Sequence, residues 1–291
     1  MGFLSNSMRA GAAGSGGASP KQGIFGFGYT TSNSNLSNLV STEGVIATDT
    51  AGVGTARNAL AACGYGDDKG IMAFGSGVTN LSNLVSNSGV VASDGTGVGT
   101  ARHFLAACTY DTDKGIFGFG TAHISNLVSN SGVVASDTSG VGTSRSALAA
   151  CGYGEDKGIF AYGSTNVSNL VSNSGVVASD VTGVGTTRLY LVACTYGTDK
   201  GIFVYGYDGS NYNMSNLVSN SGVISADVTG VGTTRRVAAC TAYGVGKGIV
   251  GYGYSAGYTS VSNLISDEGV VASDVTLVGT QRYQLTACTF G

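Results

Sequence analysis

The residues whose types and spacing could carry chemistry are six arginines, each preceded by an aspartate eight residues earlier. A ring of unpaired arginines could bind an anion, whereas arginine paired with aspartate makes charge-assisted hydrogen bonds that hold strands together. The matched spacing favours pairing within each span, so we interpret these residues as a structural framework and keep the anion site as the alternative. The pairs are Asp49 and Arg57, Asp94 and Arg102, Asp137 and Arg145, Asp180 and Arg188, Asp227 and Arg235, and Asp274 and Arg282.

Six cysteines also recur, one in each repeat, and the pattern predicts that they occupy one equivalent position. A whole repeat then separates neighbouring cysteines, which exceeds the Cα separation of roughly 7 Å that a disulfide spans. We therefore expect reduced, buried thiols that act as small apolar side chains. A six-thiolate metal site is the alternative, but no Cys-x-x-Cys or Cys/His spacing supports it. The cysteines are Cys63, Cys108, Cys151, Cys194, Cys240 and Cys288.

Catalytic groups outside this pattern are few. His103 and His123 have no counterparts in the other repeats, and neither belongs to a nucleophile, metal or acid/base motif. The segment DGSNYN around Asp208 has the composition of a calcium loop without the EF-hand order, so a cation there stays an open alternative. The sequence predicts that the protein is not an enzyme, and it predicts no metal and no cofactor.

The segments that differ between repeats carry tyrosines beside Asn, Ser and Asp. A tyrosine ring is rigid, apolar on its faces and polar at its hydroxyl, which suits a sugar platform or a protein interface. These tyrosines fall in the first and last two repeats, which become neighbours if the repeats close into a ring. We therefore expect one side of the ring to carry the binding surface. The candidate binding residues are Tyr29, Tyr207, Asp208, Tyr212, Tyr254 and Tyr258.

The composition excludes several classes of protein. The 291 residues contain 49 glycines, one proline, no tryptophan and 11% charged residues, whereas ordinary domains contain about 25% charged residues. The net charge of −3 gives no electrostatic reason for a nucleic-acid or anionic-membrane partner. No apolar run reaches the roughly 18 residues of a membrane-spanning helix. We therefore expect neither nucleic acid nor a membrane as a partner.

The elements that position these residues are short strands in a repeating order. Each repeat of 43 to 48 residues (151 − 108 = 43 and 288 − 240 = 48) offers four strand candidates separated by Gly, Ser, Asn or Asp turns. Residues 21–291 are predicted to be all-β, and four strands per unit favour a six-bladed β-propeller of four-stranded blades, with a β-helix as the alternative. The chain enters the pattern in mid-repeat, which predicts that strands from both termini close the first blade. Residues 1–20 are predicted to be a flexible Gly/Ala/Ser-rich arm.

The repeat R…LAAC.YG.DKGIF.YGY…NLVSNSGVVASD resembles the kelch repeat over residues 21–291. This resemblance implies propeller blades whose innermost strand contains the AAC segment. The family's double glycine corresponds here to Gly206-Tyr207 or Gly163-Ser164, and its late tryptophan is absent. The sequence pattern GVGT.R..LAAC.YG.DKGIFGYG is more similar to the repeats of kelch-like proteins of tailed bacteriophages. This resemblance implies that the protein is a virion component.

Together these patterns predict a non-enzymatic structural or interaction module, a tail, neck or fibre-associated virion protein that presents loops to protein or to the host surface. The expected partners are other virion proteins, contacted through the N-terminal arm, and we expect several copies in an assembly. The alternative is a carbohydrate-binding, lectin-like propeller that recognises a host-surface glycan. The expected location is the virion, with an extracellular or cytoplasmic soluble protein as the alternative.

Overall fold

The computed structural model describes residues 19–77 and 79–291. These residues form β-strands and no helix, so none of them belongs to a helix that could cross a membrane. The predicted N-terminal arm lies outside the described residues, apart from residues 19 and 20. The strands are β1 Gln22–Tyr29, β2 Asn33–Val40, β3 Ala61–Tyr65, β4 Lys69–Ala73, β5 Ser82–Val85, β6 Ala106–Tyr110, β7 Lys114–Gly118, β8 Ile124–Val128, β9 Thr138–Ser139, β10 Ala149–Tyr153, β11 Lys157–Ala161, β12 Ser168–Val171, β13 Val192–Tyr196, β14 Lys200–Tyr207, β15 Asn211–Val218, β16 Ala239–Tyr243, β17 Lys247–Gly251, β18 Val261–Ile265, β19 Val275–Thr276 and β20 Thr286–Phe290.

The strands form six small antiparallel sheets, in the orders β20-β1-β2, β3-β4-β5, β6-β7-β8-β9, β10-β11-β12, β13-β14-β15 and β16-β17-β18-β19. The middle strands are apolar on both faces, and Ile71 and Met72 of β4 are both fully buried. The turn before β4 holds Gly66 and Asp67 at φ of 57° and 66°, the left-handed region that tight hairpin turns use. This Gly-Asp turn therefore folds β4 onto β3.

The expected fourth strand is largely replaced by isolated bridges. In the described residues it survives only as the two-residue strands β9 and β19, while the corresponding segment of the β3-β4-β5 sheet makes single bridges such as Val85 to Val91. An asparagine side chain also holds this segment, because Asn83 Nδ2 donates to the Ala92 carbonyl at 3.0 Å. The equivalent hydrogen bonds of Asn126 and Asn263 occur in the two four-stranded sheets. The sheets thus have three or four strands rather than four throughout.

The C-terminal strand completes the first sheet, as the chain ends predicted. β20 pairs antiparallel with β1 and places Cys288 opposite Ile24. Phe290 and Ile24 then pack in one hydrophobic cluster with Leu60 and Met72 of the next sheet. The core consists of clusters of this kind, each formed between two successive sheets.

Contacts between the sheets follow a closed circuit. We call β3, β6, β10, β13, β16 and β20 the axial strands; each contacts the next in this order, and β20 contacts β3. Six backbone hydrogen bonds of 2.8 to 2.9 Å follow the same circuit just before the axial strands, each N–H donating to the carbonyl of the preceding repeat. A cavity of about 130 Å³ is lined from all six sheets. The hydrogen-bonded residues are Ala59, Phe104, Ala147, Tyr190, Val237 and Gln284.

Ending the chain after Leu285 removes β20 and is expected to lower the melting temperature by more than about 10 °C or to prevent folding. The reason is that β1 then presents an unpaired edge, and the cluster containing Phe290 opens to solvent. Thermal unfolding followed by circular dichroism measures the effect, with deletion of Gly291 alone as the control. An unchanged melting temperature after removal of β20 would contradict the role of this strand in closure.

Candidate functional site

Each framework arginine is buried and joins two sheets, as Arg188 illustrates. Its Nε donates to the Tyr205 carbonyl at 2.6 Å, its Nη1 to the Thr186 carbonyl at 3.1 Å and its Nη2 to Asn216 Oδ1 at 2.6 Å. These groups belong to the sheet that contains β14, whereas the Tyr162 ring, 4.6 Å from Arg188 Cζ, belongs to the preceding sheet. The guanidinium thus holds its own sheet together and stacks on its neighbour.

The aspartate that pairs with each arginine is not the one eight residues earlier, so that expected pairing is wrong. Arg188 Nη1 lies 3.8 Å from Asp227, which is 39 residues later (227 − 188), because the outer segment of a sheet folds back to the arginine of the same sheet. The preceding aspartate, Asp180, instead pairs with Arg145 at 3.7 Å. Arg102 faces Asp137 without an ion pair within 4.0 Å. The remaining pairs are Arg57 with Asp94, Arg235 with Asp274, and Arg282 with Asp49.

The paired carboxylates are satisfied by hydrogen bonds. Asp94 accepts from the Thr55 N–H at 2.9 Å, the Thr55 hydroxyl at 2.7 Å and Asn83 Nδ2 at 3.0 Å. Burial raises the pKa of Asp94, but these hydrogen bonds and Arg57 outweigh burial and hold the pKa below its usual value. Burial lowers the pKa of Arg57 to about 10, which keeps it protonated at neutral pH. Because Arg57 is 1% exposed, it offers no open face to an anion.

The substitution Arg188→Ala is expected to reduce the free energy of unfolding by about 3 kcal/mol or more, because it leaves Asn216 Oδ1 and the Tyr205 carbonyl without their donor. The matched control is Lys200→Ala, which removes an ion pair with Asp199 of 3.4 Å whose lysine side chain is 42% exposed. We expect that control to cost less than about 1 kcal/mol. Denaturant unfolding of both variants measures the difference, and equal losses would contradict the framework role.

The tyrosines of the last repeats form an open cavity of about 430 Å³, which we call the tyrosine cavity. Tyr258 stacks on Tyr283 with ring centres 5.3 Å apart and planes 19° from parallel. Tyr254 meets the same Tyr283 ring at 5.7 Å. Tyr258 is 37% exposed, so one side of this stack faces solvent. The lining residues are Tyr190, Tyr207, Arg236, Val237, Tyr254, Tyr258, Tyr283 and Gln284.

One arginine outside the framework lies in this cavity. Arg236 Cζ lies 4.1 Å from the centre of the Tyr207 ring and 5.2 Å from that of Tyr254. Its Nη1 donates to Asn211 Oδ1 at 3.1 Å. The cation is therefore held between aromatic faces and an amide, and no carboxylate, imidazole or thiol occurs among the described residues that line the cavity.

Backbone bridges between neighbouring segments bring these side chains together. Arg236 and Tyr254 exchange backbone hydrogen bonds, and Tyr29 and Tyr283 do the same. β14 reaches Tyr207 after an irregularity in its pairing with β15, where the register shifts between Val204 and Gly206. The cavity thus lies where the ends of three successive sheets meet.

The expected binding residues are only partly brought together. Tyr207, Tyr254 and Tyr258 line the cavity, and the Tyr29 ring adjoins it at 5.6 Å from that of Tyr283. Asp208 and Tyr212 are not among the lining residues; instead the Tyr212 hydroxyl donates to Asp208 Oδ2 at 2.8 Å. That hydrogen bond is the main cause of a raised pKa at Tyr212.

The sequence did not indicate the lining residues Tyr190, Arg236, Val237, Tyr283 and Gln284. The available signal was position, because the first residue after each framework arginine differs in all six repeats, and the second is shared only by Ala59 and Ala147. Burial is the main cause of a raised pKa at Tyr283, so its hydroxyl stays protonated and can both donate and accept hydrogen bonds. Among the described residues, no group of three or more His, Cys, Asp or Glu side chains could hold a metal ion.

All six cysteines are free and buried, but they do not share one position, and this corrects the sequence interpretation. Cys240 follows Arg235 by five residues, whereas the others follow their arginines by six. In the strand pairing Cys240 lies opposite Val250, as Ala193 lies opposite Phe203. Cys240 therefore takes the place of an alanine.

No protein-family model and no curated protein matches the chain. The resemblance to kelch repeats and to phage proteins accordingly rests on the residues quoted above.

Proposed function

We propose that the six sheets are the blades of a β-propeller whose first blade is closed by β20. Three features support this arrangement. The axial strands contact one another in a closed order, the backbone hydrogen bonds before them return to their starting residue, and β20 pairs with β1 across the termini. Such an arrangement leaves only short sheet edges and carries its binding residues on the loops of the scaffold.

On this scaffold, the protein is a non-enzymatic binding module whose tyrosine cavity recognises a carbohydrate. The observation that carries this proposal is the half-open stack of Tyr258 on Tyr283. The apolar C–H face of a sugar ring packs on an aromatic face, while tyrosine hydroxyls and the amide of Gln284 suit sugar hydroxyls. The cavity of about 430 Å³ lies within the roughly 300–1,000 Å³ of typical small-ligand sites.

Arg236 gives this site a preference among sugars. It brings a positive charge to a cavity lined by aromatic and neutral residues, and guanidinium groups pair with carboxylates through charge-assisted hydrogen bonds. A sugar that carries a carboxylate, such as a uronic acid, would place its ring on Tyr258 and its charge at Arg236. We therefore favour acidic glycans over neutral ones.

The setting of this module is proposed to be the virion of a tailed phage, where the cavity would contact a glycan of the host surface. This part of the proposal is supported by the resemblance of the repeats to phage-encoded kelch-like proteins. Residues 1–20 would attach the module to other virion proteins in several copies. Attachment and glycan recognition then depend on different parts of the chain.

A glycan array probed with the full chain is expected to show binding to carboxylated oligosaccharides. Tyr258→Ala should weaken that binding about tenfold or more, since it removes one exposed ring face. The matched control is Tyr212→Ala, which removes a half-buried tyrosine that does not line the cavity and should leave binding unchanged. No glycan binding by the wild-type chain, or an equal loss in both variants, would contradict the carbohydrate site.

Deleting residues 1–20 is expected to abolish incorporation into phage particles while leaving binding on the glycan array unchanged. Incorporation is measured by mass spectrometry of purified particles assembled with the truncated or the full-length chain. The truncated chain found in particles at the full-length level would contradict the proposed attachment, without bearing on the tyrosine cavity.

A further inference from the structure

Two cysteines meet at one interface between sheets. Cys194 lies on β13 and Cys240 on the neighbouring axial strand β16, and their Sγ atoms are 2.6 Å apart. Both side chains belong to the hydrophobic cluster between these two sheets. The contact joins residues 46 positions apart in the chain, so it connects two different repeats.

The pair forms because Cys240 lies one position earlier in its repeat than the other cysteines do in theirs. In the regular repeats the cysteine points at a glycine of the next sheet, as Cys63 does at Gly115, where an added Cβ would collide with the sulfur. The side chain that corresponds to Cys240 is an alanine in the other repeats, so no second sulfur is available there. Thr241 takes the regular cysteine position of its own repeat. The corresponding alanines are Ala62, Ala107, Ala150, Ala193 and Ala287.

A small reagent has a site next to the pair. All six cysteines, Cys194 and Cys240 among them, line a cavity of about 90 Å³ on the axial strands. Cys240 also lines the cavity of about 130 Å³ formed by all six sheets. Peroxides are small enough for spaces of this size, whereas bulky disulfide reagents are not.

We propose that Cys194 and Cys240 form a peroxide-sensitive oxidation site that closes into a disulfide between two sheets. One cysteine loses its Sγ proton, and the thiolate attacks a peroxide oxygen. The O–O bond breaks, a sulfenic acid forms, and the leaving hydroxide takes up the proton as water. The second cysteine loses its Sγ proton in turn and attacks the sulfenic sulfur. The S–S bond forms, the S–O bond breaks, and the leaving hydroxide takes up this proton as a second water. In sum, two thiols and one hydrogen peroxide give one disulfide and two waters. An S–S bond of about 2.05 Å requires the two sulfurs to approach by only about 0.5 Å.

The disulfide would link β13 to β16, and each of these strands closely follows a residue that lines the tyrosine cavity. Tyr190 precedes β13, Val237 precedes β16, and both line that cavity. A cross-link over 46 residues also restricts the unfolded chain. Oxidised protein is therefore expected to melt about 5–10 °C higher than reduced protein.

The direct test treats the full chain with hydrogen peroxide, alkylates the remaining thiols in denaturant and digests with trypsin. Cleavage at the flanking lysines and arginines places the two cysteines in separate peptides, Leu189–Lys200 and Val237–Lys247. We expect these peptides to be disulfide-linked and the other four cysteines to be alkylated. Cys240→Ala, which restores the residue of the other repeats, should abolish the link and the rise in melting temperature.

A second arm of the test moves the pair to other interfaces. Ala150→Cys places a thiol opposite Cys108 and should produce a second linked pair, whereas Ala287→Cys places one opposite Thr241 and should produce none. The proposal is overturned if the wild-type peptides stay unlinked after peroxide treatment, if the link involves other cysteines, or if Cys194 or Cys240 is oxidised only to sulfinic or sulfonic acid. Failure of Ala150→Cys to form a link would overturn the positional argument.

Discussion

A charged guanidinium buried between two β-sheets is the interaction on which the rest of the structure depends. Removing such a group from water costs several kcal/mol unless hydrogen bonds and neighbouring charges replace its hydration. Arg57 donates to the Phe74 carbonyl at 2.8 Å and to Asn83 Oδ1 at 2.6 Å within its own sheet, and it stacks 4.4 Å from the Phe27 ring of the preceding sheet. No sheet can complete the surroundings of its arginine alone, so stability is tied to closure of the whole circuit.

The aromatic residue and glycine that lie in or directly after each middle strand are a consequence of this arginine. The Tyr205 ring lies 4.2 Å from Arg235 of the next sheet, while its carbonyl accepts from Arg188 of its own sheet. Because its ring contacts one arginine and its carbonyl accepts from another, Tyr205 is held at φ 63°. This left-handed conformation costs roughly 1–2 kcal/mol in a non-glycine residue. The next residue, Gly206, has φ 117°, and a Cβ there would lie 3.0 Å from the Arg188 side chain. The Tyr-Gly pair is therefore set by the geometry on both sides of it.

The sequence predicted what repetition determines and missed what depends on how each repeat folds back on itself. Strand order and the pairing of β20 with β1 follow from where the chain enters and leaves its own pattern. The partner of Arg188 could not be read in the same way, because Asp180 is near in the chain while Asp227 is near in space. Likewise Tyr207 and Tyr212 carry equal sequence signals, but in the strand pairing Tyr212 lies opposite Gly206 rather than opposite Tyr207. Only Tyr207 lines the cavity, and the Tyr212 hydroxyl donates to Asp208.

Positions at which one repeat differs from the others are where a binding or reactive side chain can be placed without disturbing the framework. A framework position is constrained by two sheets at once, so a change there disturbs both. The residue directly after each framework arginine is not held in this way, and Arg236 and Tyr283 both occupy it beside the tyrosine cavity. Cys240 likewise replaces a small alanine that lines the cavity shared by all six sheets, so its sulfur meets that cavity and Cys194. The residues that are identical in all repeats therefore hold the six sheets in their closed circuit. The residues outside the framework differ between repeats, and they make the side that carries the tyrosine cavity different from the rest of the structure.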